Sequence, residues 1–402
     1  MKTLFHSLSS LILICIGMMG CDSEADYSAQ KLQSTQTFKV DLSQTAGEVI
    51  LSSLADEHFW LPLQRGGDPS SLVGSIYRIR FTKDHIFVFD YFNLNQLQCF
   101  DKKGNFISLV GKPGRGPGEY AQMVDFAVLP DERQVIVLDG AGKAIYFGFD
   151  GKHLRTKALQ GFSAASLEPV QNGFMATGGR QDADFLHLDQ DLNLRSEKFP
   201  YTVRELNVQL IDPVFSNPVS GENLILRYLD NSIYSITDTS LFVKYNIDFL
   251  AHTPSVSLVL EEGLTGEAFR QYEREKAIIL CAYKMKEIIF LRVIKGNEIY
   301  WVFLEVDTGQ SRVIRKDQVV DDLIFGAGGI VAGYDPYTNS LVLKINPLAL
   351  KKKVAEYSQN RPNAQLPFPL NSIGEDSNPL FLCLTISPTS LAGIPGPGHT
   401  SR

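Results

Sequence analysis

HIFVFDYFNLNQLQCFDKKGNF (residues 85–106) and QVIVLDGAGKAIYFGFDGKHL (residues 134–154) are two copies of one unit. Asp90 aligns with Asp139, Phe100 with Phe149 and Asp101 with Asp150, every pair at the same offset of 49 residues. That offset suits a four-stranded propeller blade and is too long for an ankyrin or leucine-rich repeat. Each unit reads in the same order: an inner strand (YRIRF around Ile79, VDFAV around Phe126), a second strand ending in Asp, a third ending in Phe-Asp, and an outer strand. The Asp and Gly residues fall where antiparallel strands must turn tightly.

Outward from this pair the units become more degenerate. Residues 173–199 read as a third blade, 223–249 as a fourth, 287–314 as a fifth and 322–346 as the start of a sixth. The sixth is short of strands, because only NPLFLCLTI (378–386) follows strongly. FKVDLS (38–43) is expected to supply the missing strand and so remove two open sheet edges. Two insertions carry helical spacing: residues 261–278, with Thr265 as cap and Phe269, Tyr272 and Lys276 on one face, and residues 348–360 between Pro347 and Pro362. Both are expected over one mouth of the ring. The reading is therefore all-β, a six-bladed β-propeller over residues 37–387 with two short helical insertions, and a loose tail over 388–402 rich in Pro, Gly and Ser.

The N-terminus reads as an export signal. Lys2 precedes a stretch from residue 8 to 19 that is almost wholly apolar or small, too short for a comfortable membrane span, so residues 1–20 are expected to be a signal peptide. Met18-Met19-Gly20-Cys21 resembles the bacterial lipobox, which implies lipidation of Cys21. Residues 21–36 are polar and without apolar periodicity, as a flexible tether would be. Asp22, Glu24 and Asp26 resemble the acidic signal behind the lipidated cysteine of surface lipoproteins in Bacteroidetes. The strand-turn-strand pattern of 86–106, followed by VGKPGRGPGEY, resembles the NHL-type repeat, and more closely the six-bladed propeller lipoproteins of Bacteroidetes. The resemblance implies a fold and an outer-membrane location, facing the periplasm or the surface; it implies no reaction.

Composition narrows the functions. The net charge of -7 argues against nucleic acid as a partner, since phosphate binding needs clustered Lys and Arg, and the one tight basic run, Lys351 to Lys353, reads as a solvated helix face. Cys99, Cys281 and Cys383 are widely spaced among apolar neighbours and read as buried thiols rather than a disulfide framework or zinc site. GKPGRGPGEY (111–120) has alternating glycines, but two prolines and a following strand make it an inter-blade loop rather than a phosphate loop, which must open a helix. Asp90 and Asp139 read as turn residues, and the histidines show no ligand spacing. No GxSxG elbow or cysteine-nucleophile motif is present, so the chain leans away from an enzyme.

Arg78, Asp125, Glu168, Asp212 and Asp322 lie on or beside inner strands and are the candidates to face the axial channel. Two functions suit them. The first is an envelope binding or scaffold module, a monomeric domain held to the membrane through Cys21, taking a glycan, a peptide or an envelope protein. The alternative is a metal-dependent hydrolase or lyase, in which carboxylates from several blades hold axial calcium as in lactonase-type propellers.

Overall fold

The computed structural model describes residues 35–178, 183–200, 210, 212–237, 240–360, 373 and 377–394. The expected signal peptide and Cys21 lie outside the described residues, as does almost all of the tether. Six antiparallel sheets follow one another around a ring. Blade one consists of Arg78–Phe81, His85–Asp90, Gln96–Asp101 and Phe106–Leu109, and blade two of Met123–Leu129, Gln134–Asp139, Lys143–Gly148 and His153–Ala158. Blade three runs from Ser166–Val170 to Leu194–Pro200, blade four from Val214–Asn217 to Leu241–Asp248, and blade five from Ile278–Met285 to Ser311–Arg315. Blade six takes Ile330–Asp335, Ser340–Ile345 and Leu380–Thr385 from the C-terminal part of the chain.

The core is a set of layers between blades rather than one central mass. Strand side chains alternate between the two sheet faces, and in blade one Phe87 and Phe89 pack with Phe126, Val135 and Val137 of blade two. Ile86 and Val88, one residue out of phase, pack with Val342, Phe381 and Cys383 of blade six. Both faces of the sheet are thus buried, so IFVF is a continuous apolar run rather than an alternating one. The two repeat aspartates are turn ties. Asp90 accepts from the backbone N–H groups of Gly74 (2.8 Å), Ser75 (3.0 Å) and Asn93 (3.1 Å); Asp139 accepts from Gln122 (3.1 Å) and Ala141 (3.3 Å). Gly104 and Gly151 occupy matching hairpins at φ +83° and +78°. A Cβ on either would lie about 2 Å from a backbone oxygen of the preceding blade, Pro62 O for Gly104 and Leu109 O for Gly151.

Ring closure differs from the sequence expectation. The outer strand of blade six is Glu57–Pro62, antiparallel to Leu380–Thr385 with Leu61 opposite Phe381. Residues 38–43 are used elsewhere: Gln36–Lys39 adds to blade four as a fifth strand, parallel to Leu241–Asp248. The reason lies in the alternation Phe38, Val40, Leu42, which puts three apolar side chains on one side, and all three sink into the core between blades four and five. The chain therefore joins blade four at Gln36–Lys39 before it reaches blade six at Glu57–Pro62.

Both helical insertions form, with a second short helix ahead of the first. Helix α1 (Val256–Glu261) is capped by Ser255, and α2 (Gly266–Glu275) buries Phe269 and Tyr272. Thr265 is the N-cap residue of α2 without a side-chain capping bond, and Lys276, which ends it, places its ammonium 5.4 Å over the Tyr272 ring. Helix α3 spans Pro347–Asn360 and packs Leu350 and Val354 into the core between blades five and six. Helix α2 hands over to the start of the inner strand at Ile278, and α3 leaves after Ile345, beside the pair Ile330–Lys344. Both insertions thus sit at the face where inner strands begin. The expected loose tail is corrected over its first residues only, the part from 395 on lying outside the described residues: α4 (Pro388–Ala392) is held by a capping box at Ser387 and buries Leu391, with Ile394 buried just beyond it. No helix among the described residues is long and apolar enough to cross a membrane.

Candidate functional site

The site begins with the alternation of RIRF. Ile79 and Phe81 enter the core shared with blade six, which leaves Arg78 and Arg80, two residues apart, on the other face of the same strand. Their side chains reach across the axis to three other blades. Arg78 is 2% exposed and pairs through Nη1 with Asp125 of blade two, and its Nε lies 3.3 Å from Asp212 Oδ1. Arg80 donates to Glu168 of blade three from Nε (3.0 Å) and Nη2 (2.7 Å), and to Asp212 from Nη1 (3.0 Å). Tyr283 of blade five donates its hydroxyl to Asp212 Oδ2 at 3.1 Å. Asp125 also accepts from the Leu167 backbone N–H at 2.7 Å, tying blade two to blade three.

Four of the five candidates from sequence, Arg78, Asp125, Glu168 and Asp212, therefore meet in one network. Asp322 does not. It accepts from Ser52 N (2.9 Å) and Ser52 Oγ (2.5 Å), pinning the short 3-10 turn Leu51–Leu54, because the strand just before it, Val319–Val320, pairs with Val49–Ile50 and not with an inner strand. Sequence reading missed Arg80 and Tyr283. Arg80 was accessible to it, since a residue two positions from Arg78 in a strand shares its face; nothing local marks Tyr283.

Two guanidinium groups face three carboxylates, so burial and pairing compete at each acid. Burial pushes the carboxyls of Asp125 and Glu168 up despite both arginines. At Asp212 burial acts in the same direction, but Arg80, Arg78 and the Tyr283 hydroxyl outweigh it and hold the carboxyl below its usual range. Burial raises the Tyr283 phenol well above its usual value, so it stays a donor. The acids converge on the protein's own cations, and among the described residues no group of three or more His, Cys, Asp or Glu side chains is arranged to hold a metal ion. The axial calcium arrangement expected from the lactonase-type alternative therefore gains no support from these side chains.

Above this charged floor a cavity of about 610 Å³ opens at the ends of the inner strands. All six blades contribute, among them Phe81, Pro130, Gln171, Phe215, Lys284 and Tyr334, and Arg80, Glu168, Asp212 and Tyr283 form its base. Its size falls within the range of small-molecule sites. No residue of α1, α2 or α3 lines it, consistent with their position at the opposite face. The glycine loop carries no anion site: Glu119 turns back into it, accepting from Gly116 N (2.8 Å) and pairing with Lys112 (3.1 Å), and so places a carboxylate where a phosphate would have to sit.

Fold and site together define a six-bladed β-propeller with an ion-paired axis beneath an open cavity. The chain belongs to the family described as Domain of unknown function (DUF4934), which it matches over residues 36–385. No curated protein sequence matches it. Among solved structures it is similar to a protein of Bacteroides fragilis NCTC 9343, with a TM-score of 0.71 at 18% identity, covering 88% of this chain and 100% of that one. It is also similar to a member of the DUF4221 family from Bacteroides vulgatus ATCC 8482, with a TM-score of 0.51 at 11% identity, covering 83% and 97%. At these identities the likeness concerns the fold alone.

Proposed function

We propose that the chain is a cell-envelope binding or scaffold module, an outer-membrane lipoprotein of NHL-like propeller type held by lipid at Cys21, which takes a glycan, a peptide or an envelope protein in its axial cavity. The observation that carries this reading is the cavity itself: about 610 Å³, built by all six blades and floored by an interblade ion-pair network. Such a floor is rigid, because each guanidinium is fixed by more than one blade, and rigid concave sites bind with little ordering cost. The lipid anchor is supported by the lipobox-like Gly20-Cys21 and the acidic, polar stretch behind it.

Two measurements test the two halves. Radiolabelled palmitate is expected to enter the full chain expressed in a Bacteroidetes host and not its Cys21→Ser variant; equal labelling of both refutes the anchor. An array of glycans and envelope proteins is expected to return a ligand that is lost in Gln171→Trp, which crowds the exposed rim of the cavity. An array without any ligand, or a ligand unaffected by that change, refutes the cavity as the binding surface.

A further inference from the structure

The cavity wall contains five ionisable groups that carry full charge in water near neutral pH: Arg80, Glu168, Asp212, Glu222 and Lys284. Four of them are satisfied from within the protein. Arg80 holds Glu168 and Asp212, and Glu222 is paired with Lys244. Lys284, at the end of the inner strand of blade five, is the exception: among the described residues its ammonium has no ion-pair partner and no hydrogen bond. Glu222, Glu287 and Asp307 act on it only from beyond ion-pair contact, and Lys244 opposes them. Burial of the amine favours its neutral form, so an anion brought beside it would recover the charge that burial penalises.

A cationic ligand would find no comparable vacancy. The floor acids that face the cavity are already bonded to Arg80, and the surplus carboxylate, Asp125, is fully buried and absent from the lining. The rest of the wall is mainly aliphatic and proline surface, among which Phe81, Phe215 and Tyr334 offer rings and Gln171, Asn217 and Asn223 offer amides. That combination suits a polar body with a flat face.

Resting on the binding role proposed above, we propose that the cavity takes a carboxylate-bearing ligand of sugar or dipeptide size, its anion paired with Lys284 and its body against the aromatic and amide wall. An acidic sugar and a peptide C-terminus share this chemistry, and the probes separate them.

Isothermal titration of the full chain would use a glucuronate-containing disaccharide against its neutral glucose counterpart, and N-acetyl-Phe-Ala acid against its amide and against phenethylamine. One acid is expected to bind at least about tenfold more tightly than its neutral partner. Lys284→Met should bring the pair to within about twofold, and Lys284→Arg should keep the preference. Equal binding of acid and neutral partner, tighter binding of the amine, an acid preference that survives Lys284→Met, or no heat from either acid up to about 10 mM would each overturn the assignment. If a neutral or cationic ligand from the array is lost in Gln171→Trp, the binding role stands and only the anion assignment falls. An empty array together with silent titrations removes both.

Discussion

Arg80→Met removes the charge at the centre of the axial network while keeping an apolar side chain of similar reach. Glu168 then loses both of its hydrogen bonds, since Arg80 Nε and Nη2 are its donors, whereas Asp212 keeps the Tyr283 hydroxyl at 3.1 Å and Arg78 Nε at 3.3 Å. The cost falls chiefly on Glu168, a buried carboxylate without its partner, and such losses run at about 3–5 kcal/mol. With an unfolding entropy of about 2 cal/mol/K per residue over a ring of roughly 350 residues, the melting temperature should fall by about 4–7 °C at pH 7.5. The loss depends on pH. The Glu168 carboxyl is already pushed by burial above its ordinary 4.5, and without Arg80 it rises further, while the unfolded chain keeps the ordinary value. The folded variant thus takes up a proton at a pH where the unfolded chain does not, and stability returns as pH falls through the raised value towards 4.5. The deficit relative to wild type should therefore be clearly smaller at pH 5 than at pH 7.5, and adding Glu168→Gln should recover a large part of it at pH 7.5. Calorimetric scans at both pH values decide the matter. A fall of less than about 1 °C at pH 7.5, or the same fall at both pH values, would show that the pair is not the buried, coupled unit described.

Other outcomes follow from closure and packing. Leu61→Ala, in the strand that completes blade six, should cost about 2–5 kcal/mol in urea unfolding, and a loss below about 0.5 kcal/mol would mean that Glu57–Pro62 does not close the ring. Gly104→Ala combines φ +83° with a Cβ 2.0 Å from Pro62 O; it should destabilise by at least about 1–3 kcal/mol, and wild-type stability would count against that approach of blade one to blade six. Burial pushes the thiols of Cys99, Cys281 and Cys383 up to about 12. Iodoacetamide at pH 8 should leave all three unmodified in the native protein and alkylate them in urea, as read by mass spectrometry; rapid native labelling of any one would refute its placement.

The repeat of 49 residues and the turn aspartates were enough to give blades one and two, because a blade is a local unit whose strands, hairpins and alternation are written in contiguous residues. Position on or beside an inner strand likewise marked four of the residues that meet at the axis. Closure was not legible in this way. FKVDLS and EHFWLP are both short runs able to be strands, and which of them completes blade six depends on which distant core each apolar face fits. The core that receives Phe38, Val40 and Leu42, between blades four and five, begins at least 168 residues further along the sequence, at Leu210. The site divides along the same line. Sequence by itself determined which residue types stand on the inner strands. Only the tertiary structure decided that Arg80 would neutralise Glu168 and Asp212, that Asp322 would pin a turn at Ser52, and that Lys284 would be left without an ion-pair partner among the described residues. Charge pairing is a matter of distance in space, and the ring sets those distances when its last blade is closed by a strand from the first part of the chain.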